Sequence, residues 1–228
     1  NNRMVAKAKG QYVLLLNNDA SLYADALLAL LTEATRLVQP AILTLPQFDA
    51  TTGQLVDLGC LLDPFYNPVP NLNPNRADVA MVIGACLWIP KSLWDELGGF
   101  PEWFGSIAED MYLCCRARLA GYAVRALAES GYRHWQGKSF GGGKVVNGGL
   151  RTTFRRRAMS ERNKTFVMAI TCPSSYLPML LFIHLFILMM EGALLSLLRW
   201  EPAYLTMIYL PVFSALRRHR KELRDARR

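Results

Sequence analysis

Residues 108–116 read Ala-Glu-Asp-Met-Tyr-Leu-Cys-Cys-Arg and place two adjacent carboxylates, Glu109 and Asp110, at the first turn of a short helix. Leu113, Ala117 and Ala120 recur behind them at helical spacing, and Gly121 is placed to stop the helix. A carboxylate at a helix start lies near the positive end of the backbone dipole, which keeps it ionised and able to accept a proton. Acids in a first turn also serve simply as caps, so the pair is either a general base with its neighbour or a cap. A second polar cluster, Asn17-Asn18-Asp19, ends the apolar run Gln11–Leu16. Open α/β sheets bind ligands at the carboxyl ends of their strands, and a strand-end Asp is a good hard-oxygen ligand for Mg²⁺ or Mn²⁺ bridging a diphosphate. The competing role is an N-cap, by Asp19 or Ser21, for the next helix. His134 precedes the glycine-heavy stretch 137–149, which has the freedom to close over a substrate. Arg151 and Arg155 to Arg157 then offer guanidinium groups suited to bidentate phosphate contacts, or form a solvated basic linker. Trp103 is placed either to stack on a sugar ring or to pack in a core.

These groups need a scaffold, and the pattern predicts an α/β domain. Gln11–Leu16 has the length and continuous apolar character of a strand buried on both faces. A helix over about 22–38 follows, with Leu27, Leu30, Leu31, Ala34 and Val38 on one stripe and Pro40 beyond its end. Ala41–Leu45 reads as a strand, 49–78 as a hairpin and irregular loop rich in turn formers, and Val79–Ala85 as another strand. Gly84-Ala85 is small enough to let a ligand approach the backbone. Lys91–Leu97 is a short helix capped by Gly98, and Tyr122–Ala128 a strand.

The chain has 228 residues, a formal charge of +8 and 52% hydrophobic content, all unevenly distributed. Residues 151–164 carry six cations against Glu161, the tail 217–228 carries seven against Glu222 and Asp225, and the remainder is slightly acidic. A nucleic-acid binder would show a basic face across its folded part. Basicity that flanks an apolar segment instead suits an anionic membrane surface or a phosphate-rich ligand. The five cysteines include an adjacent pair and no C-x-x-C, which indicates neither a zinc site nor a disulfide framework. Tyr176–Leu198 reaches the length needed to cross a bilayer, but Pro178, His184 and Glu191 interrupt it. With the polybasic Arg217-Arg218-His219-Arg220-Lys221 behind it, the segment reads as an in-plane membrane anchor, a spanning helix or a packed helical appendage.

Taken in order, Ala8-Lys9-Gly10-Gln11-Tyr12 through Asn17-Asn18-Asp19, Gly84-Ala85, Gly98-Gly99-Phe100, Glu109-Asp110 with Leu113 and Arg116, Gly121-Tyr122, His134 with Ser139, and Arg162-Asn163 resemble family 2 glycosyltransferases. The resemblance is to the bacterial, rhamnosyltransferase-like branch, and it is clear over residues 1 to about 165. It implies a GT-A fold, a mixed sheet flanked by helices, with a hydrophobic helical segment at 166–228. It also implies inverting transfer of a hexosyl or rhamnosyl group from a nucleotide-diphosphate sugar to a hydroxyl of a cell-envelope glycan or lipid-linked saccharide. Asp110 matches the base and Glu109 its neighbour in the acceptor site. Asp19 matches the principal ligand of a divalent metal (Mg²⁺ or Mn²⁺), and His134 a position that binds metal or diphosphate. Asn17, Asn18, Gly84, Ala85 and Arg151 fall on the donor side and Trp103 on the acceptor side. The implied place of work is the cytoplasmic face of the plasma membrane, without nucleic acid. The chain departs from relatives at Tyr112 and Pro101, where acids are common, and at Asn17 and Asn18. It also opens in mid-pattern, which reads as the loss of the first, nucleotide-binding βαβ portion and predicts weak donor binding by the chain as given.

Two other classes compete. A non-catalytic, membrane-anchored carbohydrate- or nucleotide-binding protein accommodates the departures at Tyr112 and Pro101, while Asp19, Asp110 and His134 favour an enzyme. A nucleotidyltransferase on a related sheet would want a glycine-rich basic loop ahead of residue 1.

Overall fold

The computed structural model describes residues 1–135, 145–146, 149–150 and 152–227, in two compact units. The first unit comprises residues 1–63, 68–103 and 109 onward to the end of its last strand. It begins with α1 (Asn2–Lys7) and β1 (Tyr12–Leu16). After β2 (Ala20–Leu22) come α2 (Ala26–Arg36) and β3 (Ala41–Thr44). The hairpin β4 (Gln47–Asp49) and β5 (Leu55–Asp57) is followed by β6 (Cys60–Leu62) and β7 (Pro68–Pro70). The unit closes with β8 (Cys86–Pro90), α3 (Lys91–Leu97), α4 (Glu109–Leu119), β9 (Ala123–Ala126) and β10 (Tyr132–His134).

Two mixed four-stranded sheets result, ordered β1-β8-β3-β9 and β2-β10-β4-β5. In the first, β8 runs antiparallel to β1 and β3, and β3 runs parallel to β9. Leu43, Cys86 and Trp88 share a core with Ala26 and Leu30 of α2. Ile42, Leu87 and Ile89 have the opposite strand parity and are equally buried, and α3 and α4 contact β8, β3 and β9. Helices therefore flank both faces of the sheet. The fold is the mixed α/β, GT-A-like architecture that the sequence implies.

Local chemistry explains most boundaries. Gly98 (φ 78°) closes α3 in the left-handed conformation. Gly99 (φ 66°) could not carry a side chain, since a Cβ there would sit 2.9 Å from the Trp94 indole. Four expectations are corrected. The predicted strand at 79–85 lies later, over β8, because Gly84-Ala85 form a turn and only 86–90 finds a full strand partner. The helix expected from about 22 starts at Ala26 with Asp25 at its N-cap, so neither Asp19 nor Ser21 caps it. Tyr12–Leu16 is not buried on both faces: it lies at a sheet edge and alternates, with Val13 and Leu15 buried and Leu16 exposed. Helix α4 is enclosed around most of its first two turns, from Met111 to Cys115, rather than amphipathic, and Ala120 is exposed.

The second unit comprises residues 64–67, 104–108 and the described residues beyond 139. A two-stranded ribbon, β11 (Val145–Val146) and β12 (Gly149–Leu150), precedes α5 (Phe154–Thr171) and the 23-residue α6 (Leu177–Arg199). A π-helical turn, Tyr204–Tyr209, leads into α7 (Leu210–Arg218) and α8 (Arg220–Arg227). Helix α6 has a mean hydropathy of 2.2 over its most apolar window, of which 17% is buried. Its inward seam is His184, Leu188 and Gly192. The His184 ring lies 2.9 Å from the Thr165 hydroxyl, and Glu191 accepts from Arg157 at 3.1 Å. The two polar groups in the apolar run thus point at protein. Met179, Phe182, Phe186, Met190, Leu194 and Leu197 are exposed. A side chain at Gly192 would meet Tyr209 at 2.7 Å, so glycine sets the approach of the π-turn.

Candidate active site

Asp110 is the second residue of α4, and both of its carboxyl oxygens are engaged by backbone. Oδ2 accepts the N–H of Gly84 at 2.8 Å and Oδ1 accepts the N–H of Met111 at 2.7 Å. Burial pushes its pKa above the ordinary carboxylate value, against the pull of these N–H donors. A carboxyl raised in this way holds a proton more strongly once it has taken one. Glu109 is half-buried beside it. The turn that delivers the pair is unusual: Ile107 (φ 71°) and Ala108 (φ 65°) are both left-handed without being glycine. Such backbone costs roughly 1–2 kcal/mol per residue, and a β-branched residue there is a genuine outlier.

Asp19 lies in the turn between β1 and β2, and His134 ends β10, which pairs antiparallel with β2. The pairing brings the His134 Nε2 to 3.1 Å from Asp19 Oδ1, and the Trp135 N–H donates to the Asp19 carbonyl at 2.9 Å. Both side chains are mostly enclosed. A hydrogen-bonding role and a ligand role for His134 are both consistent with this contact. Among the described residues no group of three or more His, Cys, Asp or Glu is placed to hold a metal. A hard cation bound through one or two protein groups and the substrate's phosphates needs no such group, so the carboxylate of Asp19 with the imidazole of His134 fits it.

One backbone path joins the two clusters. The Asn17 N–H donates to the carbonyl of Ala85, at 3.1 Å, and Ala85 is bonded to Gly84, whose N–H holds Asp110. Gly84 and Ala85, expected to face a ligand, thus spend these groups on the link between the two loops. Asn17 and Asn18 are exposed in their turn. Trp103 is half-buried in the 3-10 turn Glu102–Phe104, ahead of α4. Arg151 lies outside the described residues. Arg157 is not a free phosphate ligand, because Glu161 at 3.0 Å and Glu191 at 3.1 Å hold it.

Asp57 went unmarked in the sequence. It is 3% exposed, its Oδ1 accepts the Gly59 N–H at 2.9 Å, and burial raises its pKa to about 6. It stands across from Gln47 in the β4–β5 pairing, and Gln47 accepts from the Tyr132 hydroxyl at 2.6 Å. Both Asp57 and Asp110 act electrostatically on Cys60 and Tyr132. The only signal was Asp57-Leu58-Gly59, which marks an Asx turn and nothing about burial.

The profile of the glycosyl transferase family group 2 matches residues 12–216, which takes in α4, the Asp19–His134 pair and the helices up to α7. The chain belongs to this family. It is a glycosyltransferase by that membership, and family 2 glycosyltransferases commonly use divalent metals. A search among curated proteins found no match. Asp110 and the Asp19–His134 pair come from different loops of the same unit.

Proposed function

We propose that this glycosyltransferase moves a sugar, of hexosyl or rhamnosyl type, from a nucleotide-diphosphate sugar to a hydroxyl of a cell-envelope glycan or lipid-linked saccharide, with inversion. The observation that carries this reading is the backbone link from Asn17 through Ala85 and Gly84 to Asp110, which ties a base to a diphosphate-side loop. Asp110 takes the proton of the acceptor hydroxyl, whose oxygen attacks the anomeric carbon as the bond to the diphosphate breaks. Glu109 orients the acceptor, and Trp103 offers it a stacking face. Asp19 and His134 would hold Mg²⁺ or Mn²⁺. Bound there, the metal supplies charge to stabilise the departing diphosphate. Asn17 and Asn18 present exposed amides to the donor, and Arg151 adds a cation to the donor side. The rhamnosyltransferase-like branch belongs to this proposal too.

Membrane attachment through α6 completes it. Its polar His184 and Glu191 face α5 while its exposed arc is apolar, and Arg217, Arg218, Arg220, Lys221 and Arg224 are exposed on α7 and α8. That pattern fits an in-plane helix on an anionic, cytoplasmic leaflet better than one surrounded by lipid. Release of nucleoside diphosphate from a panel of nucleotide sugars, with and without Mn²⁺, tests the chemistry. Release from none of them, despite binding, would favour the non-catalytic binding protein.

A further inference from the structure

We propose that Cys114 and Arg118 are positioning residues for Asp110. With it they form one side-chain ladder along α4 that fixes the register of residues 79–84 and keeps the Gly84 N–H on the Asp110 carboxyl. The inference rests on the reading of Asp110 as the base, and every group in it lies in the first unit.

Asp110, Cys114 and Arg118 recur at every fourth position of α4 and therefore share one stripe of the helix. Each bonds the backbone of the same segment. Asp110 Oδ2 accepts the Gly84 N–H at 2.8 Å, Cys114 Sγ accepts the Val82 N–H at 3.5 Å, and Arg118 Nη1 donates to the Val79 carbonyl at 2.8 Å. Helix and segment run in opposite directions, and their steps agree. Four helical residues rise about 6 Å and two residues of extended backbone cover about 6.6 Å, so the step from 110 to 114 matches that from 84 to 82. From 82 to 79 the segment advances further, and the long arginine side chain covers the extra reach. Met81, between these points, exchanges both backbone hydrogen bonds with Cys60, at 3.0 and 2.8 Å.

A simpler explanation is that α4 merely satisfies buried backbone polar groups. It leaves the register unexplained. Val79, Met81 and Val82 are buried, so apolar contact alone would hold the segment down. Such contact is non-directional and permits sliding along the helix, which hydrogen bonds do not. Residues 82–84 belong to no strand, so strand pairing does not set their position either. A slip at Val79 or Val82 carries Gly84 off Asp110. Burial keeps Cys114 as the neutral thiol, a weak acceptor, which makes the charged Arg118 the stronger of the two holds. Arg118 thus acts on the base from the other end of α4.

The test uses the full-length chain with Arg118→Met, which keeps the stem and removes the donors, and Arg118→Lys, which keeps a donor. Cys114→Ala and Cys114→Ser make the same comparison for the acceptor. Amide hydrogen exchange at Val82 and Gly84, compared with the amides of β8, is the first readout. The kcat and donor KM of nucleoside diphosphate release, per folded molecule, are the second. In Arg118→Met the expected result is loss of protection at Gly84 while β8 stays protected, with kcat lowered about tenfold and donor KM nearly unchanged. Arg118→Lys should recover most of both. Cys114→Ala should lose protection at Val82 and Gly84 together, and Cys114→Ser should keep it. Parent-like protection at Gly84 in Arg118→Met would overturn the proposal, and so would a loss spread evenly over β8, the mark of general destabilisation. Where Cys114→Ala does not fold, the Arg118 pair decides, because that residue is exposed. A parent chain inactive on every donor would refute the proposed reaction, and hydrogen exchange would then judge the ladder alone.

Discussion

The backbone N–H of Gly84 donates to Oδ2 of Asp110 at 2.8 Å, and a Cβ built on Gly84 would lie 3.5 Å from that same oxygen. The first distance makes Gly84 a holder of the proposed base, and the second is ordinary contact. Gly84→Ala should therefore fold normally and keep kcat within about threefold of the parent, since the amide survives. Gly84→Pro removes the donor, and a hydrogen bond to a charged group is worth about 1.5–3 kcal/mol, so kcat should fall roughly 10- to 100-fold. Steady-state kinetics of the two variants separates loss of the donor from crowding.

The pH–rate profile has a definite sign. As the proposed base Asp110 must be deprotonated to act, and burial raises its pKa, so kcat/KM should decline as pH falls through a value above the ordinary carboxylate range. An acidic limb at the value of a free carboxylate would mean that another group limits the rate.

Asp57 provides a stability measurement independent of activity. Its pKa rises from 3.8 to about 6 on folding, so the folded state binds the proton more tightly than the unfolded one. Stability consequently falls as pH rises between those values, and the full cost is present above about 6. Asp57→Asn, which keeps an oxygen for the Gly59 N–H, should match the parent near pH 4 and exceed it at pH 8 by up to about 3 kcal/mol. Urea unfolding at the two pH values reads the difference.

Vesicle binding tests the exposed arc of α6. Phe182→Glu with Phe186→Glu places two charges on that arc and should lower binding to phosphatidylglycerol-containing vesicles at least about tenfold, given roughly 1.5–3 kcal/mol per buried aromatic. Leu28→Glu, on the exposed side of α2 in the other unit, should leave binding unchanged. Equal binding by both would place the membrane contact elsewhere.

What the sequence disclosed follows from how local each feature is. Gly98 and Gly121 ended their helices because a left-handed residue needs no distant partner, and the apolar run Tyr176–Leu198 disclosed α6 by length and composition. Position 86 as the true start of β8 was not readable, since pairing with Leu16, rather than any residue type, begins that strand. Strand β10 has three residues and exists through its pairing with β2 and β4. Asp19 and His134 were legible as polar groups after apolar runs, but their contact is a property of that pairing. Asn163 stood out only as part of an Arg-Asn match, because its work lies in contacts with residues 56 to 59 positions away.

The central claim is that Asp110 takes the proton and the Asp19 loop stabilises the leaving diphosphate. The measurement is nucleoside diphosphate release by the complete chain in detergent with Mn²⁺ or Mg²⁺, over a panel of nucleotide sugars, for the parent, Asp110→Asn and Asp19→Ala. The account predicts metal-dependent release by the parent and a loss of at least about 100-fold in each variant, the scale typical of positioned acid–base groups. Release by Asp110→Asn at the parent's rate would contradict it.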